Sequence, residues 1–241
     1  MAYDKILYLQ DAYLKEFEAN VKSVKDGKFV VLDQTAFYPR AGGQDNDTGK
    51  LMTEDGREFP VIFVGKSNGE ISHEIDFGDE VLKQGEKVRG IIDWDRRYKL
   101  MRSHTAAHVI SGLIADELGA KIHGNKKTTE KISIDFDLEE FDKDYLQELI
   151  KKSNIIIAKG NAVKTYFISR EELDSNPGMM KLAKGLPENV KEIRIVEIVG
   201  FDKQPCGGTH VKALSEIGEI EFLKADNKGK THRRLYCRLK D

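Results

Sequence analysis

His104 and His108 stand four residues apart in a run without proline, and Cys206 and His210 form a second pair with the same spacing far downstream. On a helix, side chains at i and i+4 project from nearly the same face one turn apart, so both imidazoles of the first pair can reach one ion. In the second pair, Cys206-Gly207-Gly208-Thr209-His210, the glycines let the backbone turn tightly around a bound group. Three imidazoles and one thiolate match the nitrogen and sulfur preferences of zinc and its tetrahedral habit. Spacing alone leaves two readings open, a closed structural site of four protein ligands and a site that acts on a substrate. The pairs are far apart in sequence, in a region large enough to fold without a metal, and the short spacings of a structural finger are missing. A functional site is therefore the reading carried forward.

A second constellation lies near the N-terminus, where Leu32-Asp33-Gln34-Thr35-Ala36-Phe37-Tyr38-Pro39 runs into Arg40-Ala41-Gly42-Gly43-Gln44 and Asp47-Thr48-Gly49. From chemistry alone this is either a glycine loop joining two strands or a polar loop, with Thr35 and Gln44, laid against a substrate pocket.

The elements that must position these residues divide the chain in two. Before Trp94, turn signals recur at Asp26-Gly27, Gly42-Gly43, Asp55-Gly56, Asn68-Gly69 and Gly78-Asp79. Between them lie runs rich in β-formers, such as Lys28 to Leu32, Val61 to Val64 and Val88 to Ile92. Short strands with regular turns predict a small antiparallel barrel or sandwich, and the barrel is adopted here. From Trp94 to Leu118 the only glycine is Gly112, and Leu100, Ala107, Ile110, Leu113 and Ile114 recur at helical spacing, so a long helix should end at Gly119. A second helix is expected from Asp142, its N-cap, to Lys152, and Ser169 should cap a short helix through Leu173. Strands are expected at Ile132 to Asp135, Val163 to Ile168, Ile193 to Ile198, Gly218 to Leu223 and Arg234 to Leu239. The fold class is therefore α+β, with an N-terminal small antiparallel β-barrel domain over residues 1–92 and a two-layer α+β domain bearing the metal site over 93–241.

Composition bounds the rest. The chain has 241 residues, 39% hydrophobic and 33% charged, which suits an ordinary globular protein with a substantial core. Two cysteines are too few for a disulfide framework and fit a reducing compartment, so the cytoplasm is the expected location. The N-terminal residues have charges scattered among the apolar ones, unlike a signal peptide, and no run of about 18 apolar residues occurs, so no membrane partner is expected. A net charge of −2 neither predicts nor excludes nucleic-acid binding. Local basic surface is expected from Arg96, Arg97, Lys99 and Arg102, and from Lys228, Lys230, Arg233 and Arg234; a solvated charged face is the alternative for each run. His73, His232 and Cys237 are read as packed or exposed residues, and Trp94 as a boundary or core aromatic.

Taken together, Asp33-x-Thr35-x-Phe37-Tyr38-Pro39, Gly42-Gly43-Gln44, His104-Thr105-Ala106-Ala107-His108 and Cys206-Gly207-Gly208-Thr209-His210 resemble the editing region of alanyl-tRNA synthetase and its free-standing relatives, the AlaX-type alanyl-tRNA editing proteins. The resemblance runs in order over nearly the whole chain. It implies a free-standing editor of intermediate length, a monomer, with one zinc ion per chain held by His104, His108, Cys206 and His210. The implied reaction is hydrolysis of seryl-tRNA, with glycyl-tRNA as a second substrate, where the tRNA is specific for alanine and is recognised at its aminoacylated 3′ end. On that reading Thr35 and Gln44 help position the aminoacyl group, and the hydroxyl of Thr105 or Thr209 lies near the metal. One departure stands out: the family often has Gly-Ser where this chain has Gly124-Asn125, beside His123, a residue assigned a structural or surface role. Two alternatives are an editor of another mischarged tRNA and a zinc-containing module that binds tRNA or a synthetase without hydrolysis.

Overall fold

From Glu16 to Lys25 apolar and polar residues alternate, so Phe17, Ala19 and Val21 fall on one face of a strand and are buried while their neighbours meet water. The computed structural model, which describes residues 5–67, 69–76, 78, 80–181, 186 and 190–240, builds six such strands into a closed antiparallel barrel. They are β1 (Glu16–Lys25), β2 (Phe29–Leu32), β3 (Gly49–Thr53), β4 (Glu58–Ser67), β5 (Glu70–Ile75) and β6 (Lys87–Ile92), in the order β1-β2-β5-β4-β3-β6. Pairing of β1 with β6, with Phe17 opposite Gly90 and Ala19 opposite Val88, closes the cylinder and removes the unpaired edges of an open sheet. Asp26 and Gly27 join β1 to β2 with φ of 53° and 70°, the left-handed pair that a type I′ hairpin needs. Two other residues of the turn signals, Asn68 and Asp79, lie outside the described residues. A short helix, α1 (Leu7–Gln10), precedes the barrel, whose core includes Leu32, Phe37, Leu51, Phe59 and Ile75.

The chain divides into two compact units, Met1–Leu100 and Met101–Asp241, and the boundary falls within helix α2 (Trp94–Leu118). Asp93 caps that helix by accepting from Arg96 N at 3.2 Å, and Gly119, at φ 60°, ends it. The apolar stripe read from the sequence is buried, but so is every other residue from Ser103 to Ile114. Small residues make this possible. A Cβ at Gly112 would sit 2.9 Å from the Phe201 ring, so glycine is what allows that approach.

The second unit contains a three-stranded antiparallel sheet, β11 (Asp202–Pro205), β10 (Glu192–Ile198) and β9 (Val163–Ser169), and a four-stranded one in the order β12 (Ile220–Asn227), β13 (His232–Leu239), β8 (Ile132–Asp137), β7 (Ile122–Lys127). Helix α3 (Lys143–Ala158) starts where expected, with Asp142 accepting from Tyr145 N at 2.9 Å. It continues past the predicted end at Lys152, through a run of isoleucines that local propensity disfavours, because Ile157 is buried and Asn154 docks on β12. The Asn154 amide donates to Ile220 O at 2.8 Å and accepts from Ile220 N at 2.9 Å, completing the edge of that strand. Ser169 caps α4 (Arg170–Asp174), accepting from Glu172 N. No helix among the described residues is long and apolar enough to cross a membrane.

Each basic run is open only in part: Lys228 and Lys230 are exposed and Arg96, Lys99, Arg102 and Arg234 half-buried, while Arg97 and Arg233 are buried inside their own units. Arg97 is fully buried, and its Nε lies 2.9 Å from Asp47 Oδ1 and 3.0 Å from Oδ2, with further bonds to Ala12 O and Ala36 O. Asp47 in turn accepts from Tyr38 N at 2.5 Å, so the pair pins the segment after β2 to the start of α2. Arg102 is bonded to Ile217 O at 3.0 and 2.8 Å. Arg233 is buried and donates to Asn227, Gly229 and Glu139, while Arg234 forks onto Asp135. A buried charge stripped of its partner is costly, so Asp47→Ala should destabilise the first unit by ~3–5 kcal/mol in urea unfolding. A loss below about 1 kcal/mol would show that the Arg97 pair does not hold that unit together.

Candidate metal centre

Helix α2 presents His104 and His108 one turn apart, with ring centroids 5.1 Å from each other. The loop after β11 brings His210 against both, at 4.3 Å from the His104 ring and 4.5 Å from that of His108. Cys206 completes the group: its Sγ lies 3.5 Å from His104 Nε2 and 3.4 Å from His210 Nε2. One donor atom from each of the four residues falls within 4.8 Å of all the others, so the group could hold a metal ion. A tetrahedral ion with bonds of about 2.3 Å to sulfur and 2.0–2.1 Å to nitrogen has S···N edges of about 3.5 Å. The observed separations match that figure.

The three imidazoles are buried, and burial governs their protonation. His108 is pushed down to about 3, mainly by desolvation, with Lys127, Arg194 and Lys181 adding to it. His104 and His210 are held well below their ordinary value, again first by burial and then by neighbouring positive charge. Neutral imidazoles are the ligating form. His108 Nδ1 is buried without a hydrogen-bond partner, an orphan that costs about 1–3 kcal/mol unless something else satisfies it. Donor chemistry and spacing fit a bound cation.

Two residues that frame the group escape a pattern-based reading. Arg194, on β10, donates to Cys206 O at 2.8 Å and Gly208 O at 3.0 Å, and its own carbonyl accepts from Cys206 N at 3.0 Å, so it shapes the loop that carries the second pair. Its signal was a charge inside the apolar run Ile193-Arg194-Ile195-Val196, four consecutive buried positions. Lys127, at the end of β7, is buried with Nζ 3.3 Å from His104 Nε2 and bonded to Asn125 Oδ1. Burial lowers its ammonium to about 8, partly offset by Cys206. Asn125 is thus linked through Lys127 to His104.

Thr105 and Thr209 are fully buried in this second unit, and Thr105 Oγ1 lies 3.1 Å from His210 Nδ1. Thr35 and Gln44 belong to the first unit, where both are buried. His73 Nδ1 faces Val30 O at 2.9 Å, and a carbonyl can only accept, so the proton is on Nδ1 and Nε2 accepts from the Thr35 hydroxyl at 2.9 Å. Thr35 Oγ1 also accepts from Phe37 N at 3.1 Å, which holds the start of the Phe37-Tyr38-Pro39 segment. Cys237 is buried and its thiol pushed up to about 12, an inert core residue. His232 and His123 face Asp135 and Asp137, at 3.6 Å and 2.5 Å, outside the metal group. Trp94 opens α2 and stacks on Tyr98, with Lys15 over its ring.

Comparison with known proteins places this arrangement. Residues 3–96 match the family described as tRNA synthetases class II (A), and residues 193–236 match the threonyl and alanyl tRNA synthetase second additional domain. Over 240 residues the chain is 52% identical to the alanyl-tRNA editing protein AlaX-M of Methanosarcina barkeri, covering 98% of each protein. The chain belongs to the AlaX-type alanyl-tRNA editing proteins. The AlaX-M protein of Saccharolobus solfataricus is 48% identical over 97% of this chain and 98% of its own length. The alanine--tRNA ligase of Pyrococcus abyssi is 36% identical over 92% of this chain, which spans 24% of that larger protein. An AlaX-type chain is thus similar to one portion of a ligase.

Two outcomes follow. His108→Ala should weaken zinc affinity by more than the roughly 10–100-fold that loss of an outer hydrogen-bond partner costs, measured by competition with a colorimetric chelator; unchanged affinity would remove His108 from the ligand set. His73 is depressed from 6.5 to about 4 by burial, so it stays neutral in the fold while the unfolded chain takes up a proton. Its contribution is whole above pH 6.5 and is lost as pH falls to about 4, on the order of 3 kcal/mol. In the His73→Gln variant, denaturant unfolding should show a flatter pH dependence across that window; the same slope would assign it to other groups.

Proposed function

We propose that this protein is a trans-editing hydrolase that removes the wrong amino acid from mischarged alanine tRNA, with serine as the main substrate and glycine as a second. The observation that carries the reading is the group of three buried histidines and a half-buried cysteine in a chain that matches an AlaX-M protein over 98% of its length. The reaction is ester hydrolysis: a water oxygen bonds to the aminoacyl carbonyl carbon, the bond to the ribose oxygen breaks, and that oxygen takes a proton. Such a check answers a physical limit. A pocket sized for alanine cannot strongly exclude smaller glycine, and an added hydroxyl is hard to reject by binding alone, so a second hydrolytic site supplies the missing discrimination.

Zinc, one per chain, is the metal the nitrogen and sulfur donors suit; when bound to His104, His108, Cys206 and His210 it supplies a positive charge that polarises or orients the substrate. Thr35 and Gln44 are assigned to positioning the aminoacyl group, in the segment that Thr35 anchors through His73 and Phe37. Thr105 and Thr209 are adjacent in sequence to His104 and His210, and the hydroxyl of one or the other is assigned a place near the metal. We assign the protein to the cytoplasm, with the pool of aminoacyl-tRNA, and to a monomeric state.

The test offers the purified, zinc-loaded protein seryl-, glycyl- and alanyl-tRNA for alanine, beside seryl-tRNA for threonine. Rapid loss of serine from the alanine tRNA, with correctly charged alanine spared, is expected. No release above the buffer rate with metal bound would leave a binding module, and faster release from the threonine tRNA would reassign the substrate.

A further inference from the structure

Thr105 sits between the two helical ligands, fully buried, and its hydroxyl meets three groups of the second unit. It is 3.1 Å from Met101 O, one turn back on α2, 3.1 Å from His210 Nδ1, and 3.3 Å from Val211 N. A hydroxyl has one proton to give and two lone pairs to accept with. Val211 N–H can only donate, so it takes one lone pair. Met101 O can only accept, so the hydroxyl proton belongs there, as helical threonines commonly bond the carbonyl four residues back. The contact with His210 is then satisfied in one way, with Nδ1–H as donor.

We propose that Thr105 is a positioning residue for His210: its oxygen holds the Nδ1–H tautomer of the imidazole, which leaves the Nε2 lone pair to the metal. Nε2 is the nitrogen turned toward the cluster, 3.4 Å from Cys206 Sγ. A metal-bound histidine usually gives its other N–H to an acceptor that fixes its tautomer and ring orientation. Here that acceptor comes from the HxxxH helix itself, and the same oxygen takes the backbone N–H after His210. One hydroxyl therefore ties the Cys206-to-His210 loop to the helix that carries the first pair. The inference rests on the four-residue metal site of the proposed function and requires no particular substrate.

The test replaces the hydroxyl while keeping the shape. Thr105→Val should bind zinc about 10–100-fold more weakly than the parent by chelator competition, and Thr105→Ser should restore affinity close to the parent value. Nitrogen-15 NMR of the zinc-loaded parent should show a proton on His210 Nδ1 and none on Nε2. That spectrum can refute the assigned tautomer, and with it the proposal, even if Thr105→Val fails to fold. A proton on Nε2, or parent-like affinity in Thr105→Val, would overturn the proposal. These measurements use no tRNA, so a protein that binds zinc as expected and hydrolyses nothing would count against the editing function and leave the role of Thr105 standing.

Discussion

Gathering three buried imidazoles and a half-buried thiol within one bond's reach of a common centre is the constraint on which the second unit turns. Each imidazole loses hydration when buried, and positive charge from Lys127 and Arg194 penalises protonation further, so all three stay neutral. Neutral rings with their lone pairs converging are poor company for one another and good ligands for a cation. His108 Nδ1 is buried without a hydrogen-bond partner, whereas most buried polar atoms find one.

Much of the surrounding structure follows from holding that group. A helix buried on all sides from Ser103 to Ile114 is unusual in a chain with so much charge, and it fixes the rotation of His104 and His108. The second pair rides on a loop without regular structure, which needs outside support: Arg194 clamps its carbonyls and Thr105 takes its N–H groups. Loops carried by such rigid partners are where sites with exact geometry are commonly built.

The barrel solves a separate problem by the same means. Its glycine-rich segment between β2 and β3 has little regular pairing of its own, and buried polar bonds set its path: Thr35 to His73 and Phe37, and Asp47 to Tyr38 and Arg97. Polar groups in a core are tolerated only when satisfied, and here their satisfaction is what defines the loop. The family relationship supplies the reason to look for function in both units.

Local signals were enough for the sequence to pick out the four residues that cluster at His104, the bounds of α2, the caps at Asp142 and Ser169, and most strands, because caps, turns and i to i+4 spacing involve neighbours in the chain. Five strands, β1, β3, β5, β7 and β11, were not named from the sequence: β1 alternates but is full of charge, and the others are short and carry polar residues between their apolar ones. Tertiary structure alone decided which charges go inside. Nothing local distinguishes Arg97 from Arg96, or Lys127 from Lys126, yet one of each pair is buried because a carboxylate at Asp47 or a ligand cluster at His104 arrives from elsewhere in its unit. The Thr105 contact with His210 is of the same kind, since a hydroxyl's partners are known only once distant segments meet.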